Sequence, residues 1–585
     1  MKKKVLSVIS VFLSLAIILT GTVTASAADA EAADNSGIIF CTNAINGLLN
    51  AVFKGFGALF PKNFDTVDEY YAKESENFYE GSEIFLDSPA EGAKWQLGFG
   101  KGSMVPENLK DGSKEYYTGG YFTQKINGVY DDQGANAIAI SDNSGRGTVV
   151  MVSVDGIGVS NGDVRKMRAD AEKKLAEKGV ESDIVAININ STHCHTVPDT
   201  QGLGLEPLLK GIFQNLFSFL PFIEKAKSID SEFYEYMIDG ASDAIVEAYL
   251  AMESGELYYF ETAGIGRSER NNNYPDDEYD YLFNKRYDTE GYQHVIACFK
   301  FVPDNTESNP TVIANFGAHP TTIDRATKLL SADFPNFTEE KLNSAGMNFM
   351  FIQGAQSPIS VNKSGVKTQE ILDEINEQIA EDPTVQDYAA AKSLGYEFAR
   401  LITDAEKNAV SVDPMLNVRM AEVTVPLEYG LLELGAVSGL LGMTTVRDKS
   451  APAGFSIISE VGYLEIGSDI VMLTVPGELV PQLIYGNVVD KTDSYLGTDW
   501  ELDITADLIG EDKTVLVMGL CNDAIGYIVP DNDYAPFIAD SLWNTDLGEK
   551  LFGKAHRHYE EMLSTGSKAG STVIGALNSI VKSYN

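Results

Sequence analysis

Apolar runs broken by polar turns recur along the chain, and their spacing predicts alternating strands and helices. Thr148-Val149-Val150-Met151-Val152-Ser153-Val154 is β-branched and ends at Asp155-Gly156, the pattern of a buried strand. Residues 163–178 follow with helical spacing: Asp163 stands where a cap is needed, charges fill the outer face, and Gly179 stops the helix. Ile184-Val185-Ala186-Ile187 reads as the next buried strand. Strand–helix–strand is the unit of a sheet covered by helices. Further strands are predicted at 97–100, 137–141, 257–260, 294–302, 311–316, 347–352, 417–425, 463–466, 469–475 and 514–520. Helices are predicted at 231–252, 369–380 and 388–409. The fold class is therefore α/β, with mixed β-sheets flanked by helices.

Several of these strands run into a polar turn. The strand at 184–187 leads to Asn188-Ile189-Asn190-Ser191-Thr192-His193-Cys194-His195, which spends two of the chain's six histidines. On an extended backbone, side chains at i and i+2 point the same way, so both imidazoles face one cleft and Cys194 points into the packing. Gly317-Ala318-His319-Pro320, Gln353-Gly354-Ala355-Gln356-Ser357-Pro358 and Pro476-Gly477-Glu478-Leu479 each follow a strand, and Cys521-Asn522-Asp523 leads on to Gly526-Tyr527. Ligands of open α/β sheets bind outside strand ends. Each residue also has a plainer reading. His319, Ser357 and Tyr527 fit ordinary turns. Glu478 opens what reads as a helix and fits its dipole. His556-Arg557-His558 reads as part of a charged, solvated helix.

Composition changes the picture at three points. The formal charge is −41, or −44 without Lys2, Lys3 and Lys4, which argues against nucleic acid as a partner. Those lysines, the apolar run 5–19 and Ala25-Ser26-Ala27 form a signal-peptide pattern over 1–27 with cleavage after Ala27, which predicts a secreted protein; an uncleaved anchor is the alternative. Cys41, Cys194, Cys298 and Cys521 are few for an exported chain and lack zinc-finger spacing, so they read as free and mostly buried, with one disulfide left open. Segment 203–229 is dense in Leu and Phe. It reads either as a lid, an acyl-tunnel wall making transient membrane-surface contact, or as a packed helix pair.

Six pieces, in order, resemble the neutral (non-lysosomal) ceramidases. Ser191-Thr192-His193-Cys194-His195 resembles that family's Thr-His-Thr-His-Ser segment, and Arg267-Ser268 with Tyr274 its Arg-Ser segment. Asn315-Phe316-Gly317-Ala318-His319-Pro320, followed by Ser331-Ala332-Asp333, resembles its second histidine segment. Gly354-Ala355-Gln356-Ser357-Pro358 resembles its Gly-Asp-Val-Ser-Pro turn, and Val475-Pro476-Gly477-Glu478-Leu479 its Val-Pro-Gly-Glu-Phe. Gly526-Tyr527-Ile528-Val529-Pro530 with Tyr534 resembles its Gly-Tyr-Val-Thr-Thr-Pro-Glu-Glu-Tyr.

The resemblance implies a Zn2+-dependent amidase that cleaves the N-acyl bond of a ceramide-like lipid to a fatty acid and a sphingoid base. It implies His193, His319, Glu478 and Tyr527 as zinc ligands and Ser357 as nucleophile, with His195 and Arg267 orienting the nucleophile, the substrate carbonyl or the head group. A zinc-bound water attacking directly is the alternative to Ser357. The expected layout is an N-terminal extension over 28–90 and one large catalytic domain over 91–585, with the zinc site at strand ends. The sequence departs from the family at Ala355 and Gln356, at Cys194 and Thr196, and at Ala539, where the family carries a further Tyr. Only 58 residues follow Tyr527, so the family's immunoglobulin-like C-terminal domain is not expected. The alternatives are a zinc hydrolase of another N-acyl amide or ester, or a catalytically dead secreted binding protein.

Overall fold

The computed structural model describes residues 63–218, 223–262, 295–323, 326–357, 359–361, 368–535 and 563–584, with strand Leu282–Asn284 and scattered positions from 47 to 60. Arg267, Tyr274, Cys41, His556, His558 and the leader lie outside the described residues. The strands used below are β1 (Gln96–Ser103), β2 (Gly134–Ser141), β3 (Thr148–Val154), β4 (Ile184–Ser191), β5 (Glu253–Thr262), β6 (Ile296–Pro303), β7 (Thr311–Phe316), β8 (Asn348–Gln353), β9 (Ile359–Val361), β10 (Leu416–Pro426), β11 (Phe455–Ile466), β12 (Ile470–Thr474), β13 (Glu478–Leu479), β14 (Thr514–Met518) and β15 (Tyr527–Ile528). The large sheet runs β8-β7-β6-β5-β1-β2-β3-β4, and a second runs β10-β11-β12-β14. β3/β4, β7/β8 and β12/β14 are parallel pairs within otherwise antiparallel ladders, so the mixed α/β architecture expected from the pattern is the one observed.

The large sheet curls until its two outer strands meet. Asn136 of β2 donates to the Phe349 carbonyl of β8 at 3.1 Å, and the Gln353 N–H of β8 donates to Asn190 Oδ1 of β4 at 3.3 Å. Its inner face packs Leu97, Ile138, Met151, Phe299 and Ile352 against Val418, Leu464, Met472 and Met518 of the second sheet. The outer face is covered by α1 (Asn161–Glu177), α3 (Ser231–Leu250), α4 (Asp333–Ser344) and α5 (Ala389–Ala405), whereas α2 (Leu205–Leu216) and α6 (Ala569–Tyr584) pack with the second sheet. Gly98, Gly100 and Gly102 alternate along one face of β1. A Cβ there would stand 2.1, 2.3 and 1.9 Å from backbone carbonyl oxygens of α3, at Ala248, Ala244 and Gly240. Only glycine admits so close a helix.

α1 departs from its expected design in two ways. Asp163 does not cap it: its Oδ1 accepts from Tyr234 Oη at 2.8 Å and from Lys227 Nζ at 3.2 Å. The first helical N–H, of Asn161, instead donates to Asp523 Oδ1 at 3.0 Å, from a loop far along the chain. Nor are all its charges outward. Arg165 and Arg168 are buried against the second sheet, with Arg168 Nη2 2.8 Å from Glu460 Oε2 and Arg165 Nη2 2.6 Å from Glu422 Oε1. Burial raises the Glu460 carboxyl, but the two guanidiniums outweigh it and hold the group below the usual carboxylate range.

Arg168→Met leaves Glu460 facing fewer cations in a dry interface and is expected to cost about 3–5 kcal/mol, read as a lower urea midpoint; a loss near zero would mean that Arg165 alone neutralises Glu460. Asp523 concerns pH. Burial pushes its carboxyl up to about 7, against the Ala524 and Asn161 N–H groups that favour the anion. The folded chain therefore keeps a proton that the unfolded chain loses near pH 4, so stability falls as pH rises from about 4 to about 7. Asp523→Asn is expected to flatten that part of the melting-temperature profile; a variant profile parallel to wild type would contradict it.

Candidate metal centre

The centre forms where parallel pairs from both sheets end. β4 stops at Ser191, and His193 lies beyond it with φ +66°. The two histidines are therefore not on extended strand backbone, as the i, i+2 argument assumed. The rings still come together: the His193 and His195 ring centroids are 4.9 Å apart with planes at 88°. Cys194 is buried in the core, as expected, and Cys194, Cys298 and Cys521 are free thiols. β7 delivers His319, whose ring centroid lies 4.8 Å from that of His193. From the second sheet, β12 runs into β13, which carries Glu478. This residue lies in a two-residue strand, not at a helix start, and pairs in parallel with Tyr527 of β15. Glu478 and Tyr527 are thus register partners, and partners in a ladder share a face.

Two backbone turns set that pairing. Gly526 adopts φ +81°, and a Cβ there would come 1.6 Å from the Leu563 carbonyl oxygen, so Tyr527 needs glycine before it. Asn522, in the left-handed region at φ +63°, lies beside β4 next to the isolated Asn190–Cys521 bridge. Its N–H donates to the Ile189 carbonyl at 2.7 Å, its Oδ1 accepts the Ile189 N–H at 2.8 Å, and its Nδ2 donates to Asn188 Oδ1 at 2.9 Å.

The imidazole tautomers follow from their partners. His193 Nδ1 is 2.7 Å from the Ile157 carbonyl oxygen and His319 Nδ1 is 2.7 Å from that of Ile359. A carbonyl only accepts, so each Nδ1 carries the hydrogen and, in a neutral ring, each Nε2 presents a lone pair. Both Nε2 atoms face the same Glu478 oxygen, at 3.3 Å from His193 and 3.1 Å from His319. Lone pairs against a carboxylate repel unless a cation lies between them. Ligands bound to one zinc by ~2.1 Å bonds at tetrahedral angles stand roughly 3.4 Å apart, close to these spacings. The three ligand atoms lie within 4.8 Å of one another and all three residues are buried. Protons on the rings fill the same gap in another way: burial raises the Glu478 carboxyl, and charged imidazoles outweigh it and hold the group well below the usual range. The donor set fits a metal ion, and Nδ1 bonded to a carbonyl is the usual support for an imidazole ligand.

Three of the other expected residues, Tyr527, Ser357 and His195, are described, and Arg267 is not. Tyr527 is buried beside Glu478. Ser357 is buried in the turn between β8 and β9, two residues before the Ile359 carbonyl that holds His319. His195 is half-buried, its ring 6.2 Å from that of His319 and 4.9 Å from that of Tyr121. The Ile157 and Ile359 carbonyls and Asn522 escaped sequence reasoning. Backbone carbonyls leave no sequence signal, and only the polar alternation Asn188-Ile189-Asn190 within a buried strand hinted at the amide contacts.

No protein-family model and no curated relative matches the sequence. Several solved structures match the fold, two of them ceramidases. One is a neutral ceramidase from Pseudomonas aeruginosa, with 15% identity, 84% of this chain and 75% of that chain covered, and a TM-score of 0.53. The other is a ceramidase complexed with C2, with 15% identity, 83% and 75% coverage and a TM-score of 0.52. The chain therefore has the fold of the neutral ceramidases, with a buried His193-His319-Glu478 group able to bind a metal where strands of its two sheets end.

Proposed function

We propose that this protein is a secreted, zinc-dependent amidase that hydrolyses the N-acyl bond of a ceramide-like lipid. The observation that carries the reading is the pair of buried imidazoles, each with Nδ1 bonded to a carbonyl, whose Nε2 atoms converge on one Glu478 oxygen in this fold. His193, His319 and Glu478 hold the zinc, and Tyr527, the register partner of Glu478, completes the set. A bound zinc supplies Lewis-acid polarisation of the amide carbonyl. Ser357 is the nucleophile: its Oγ bonds to the carbonyl carbon, the C–N bond breaks, the amine leaves with a proton, and water releases the fatty acid from the acyl-serine. His195, half-buried beside the ligands, positions the serine or the carbonyl, and Arg267 binds the head group. Export follows from the signal-peptide pattern over 1–27.

The test is hydrolysis of a fluorescent short-chain ceramide. Wild type should turn it over, and both chelator treatment and Ser357→Ala should lower the rate by on the order of 10³-fold or more. Full activity in Ser357→Ala would remove the serine from the chemistry. A metal-loaded wild type without turnover would move the substrate to another N-acyl amide or ester.

Helix α2 adds a point about lipid access. Leu208 is buried, while Leu205 and Leu209 are 42% and 36% exposed one turn apart. The described part of 203–229 contains this one helix and not a helix pair. Apolar side chains on an exposed turn favour a lipid surface. Leu205→Glu with Leu209→Glu should slow turnover of vesicle-borne ceramide several-fold yet spare a soluble short-chain substrate; equal loss on both would mark a packing defect instead.

A further inference from the structure

The two histidine loops arise far apart, and one buried amide joins them. Gln353 ends β8 and is fully buried. Its Nε2 donates to the Thr192 carbonyl at 2.9 Å and to the Ala318 carbonyl at 2.9 Å. Its Oε1 accepts the Ala318 N–H at 3.1 Å and the Gly354 N–H at 3.2 Å. Thr192 directly precedes His193, and Ala318 directly precedes His319. We propose that Gln353 is a positioning residue that fixes the spacing between the two imidazole loops and so sets the affinity and geometry of the metal centre. The proposal rests on the metal-binding reading above.

The chemistry of the amide suits this role. A primary amide has two donor hydrogens and an oxygen with two lone pairs, and here each is used. Two of the four bonds go to the peptide groups that enter His193 and His319, and a third goes to the N–H of Ala318, the residue before His319. The Thr192 peptide leads into His193 at φ +66°, a region unfavourable for a non-glycine residue that persists only when neighbours enforce it. β4 and β8 are opposite edges of the curled sheet, and among the described residues no ladder pairs the His193 loop with the His319 loop. Side-chain bonds of Gln353 make that tie, and the main-chain bond from its N–H to Asn190 anchors it to β4.

The test separates positioning from general stitching. Asn315 is another buried amide at this interface, donating to Val517 at 2.8 Å and Ile352 at 3.3 Å; neither contact is in a histidine loop. Wild type, Gln353→Met and Asn315→Leu would be titrated with Co2+ and followed by visible absorption, with the melting temperature of each metal-free protein recorded. Gln353→Met should bind Co2+ roughly 10-fold or more weakly, with altered band positions and intensities. Asn315→Leu should lose thermal stability but keep wild-type affinity and spectrum. Gln353→Glu keeps the shape and the accepting oxygen while setting a second oxygen against the two carbonyls; it should show the same weakened binding should the methionine variant not fold. Wild-type affinity and spectrum in the Gln353 variants, or equal loss in Asn315→Leu, would overturn the positioning role alone. Wild type that binds no Co2+ would overturn the metal-binding reading, and the positioning role with it.

Discussion

One carboxylate oxygen, that of Glu478, faces two imidazole nitrogens whose hydrogens are committed elsewhere. Everything else in the structure can be read from what that contact demands. A buried carboxylate costs several kcal/mol of lost hydration unless positive charge answers it, and no lysine or arginine is paired with Glu478 among the described residues. The compensation comes from protons on the two rings or from a cation held between His193, His319 and Glu478. This is why the carbonyls of Ile157 and Ile359 matter as much as the rings they hold: each fixes which nitrogen points inward. The fold brings Glu478 from the second sheet to His193 and His319 from the first, with its Oε2 3.3 and 3.1 Å from their Nε2 atoms.

The fold does so by closing the large sheet on itself and setting the second sheet against its inner face. Helix backbone lies directly on the glycines of β1, and the buried Arg168–Glu460 pair locks α1 to β11. Asp523 caps α1 from the same loop that, four residues later, supplies Tyr527. The helix start and the turn that carries Tyr527 are therefore held by one loop. Such a design makes the site part of the core rather than a feature of mobile surface loops, consistent with the burial of His193, His319, Glu478, Tyr527 and Ser357.

Much of this was legible in the sequence. Strand runs such as Thr148–Val154 and Thr311–Phe316 announce themselves because β-branched apolar residues fill both faces of a buried strand. Of the polar residues that follow strands, the fold gathers His193, His319 and Glu478 into one buried group. Local geometry was less legible. Sequence spacing assumes regular backbone, and His193 leaves it; Pro-Gly before Glu478 suggests a helix, but pairing with Tyr527 makes a strand. Charges on α1 looked solvated because sequence does not show that Glu422 and Glu460, 257 to 295 residues on, wait opposite Arg165 and Arg168. The joining roles of Gln353 and Asn522 were invisible for the same reason: their partners are backbone groups, which every residue has.

The central claim is that the Glu478 oxygen and the two Nε2 atoms share a metal ion. The most direct measurement is metal analysis with X-ray absorption on protein purified without chelator, wild type beside Glu478→Gln. The account predicts about one zinc per wild-type chain, with nitrogen and oxygen ligands near ~2.0–2.1 Å and outer-shell imidazole scattering, and much reduced zinc in the variant. Zinc absent from wild type, or bound without imidazole scattering and unaffected by Glu478→Gln, would contradict it.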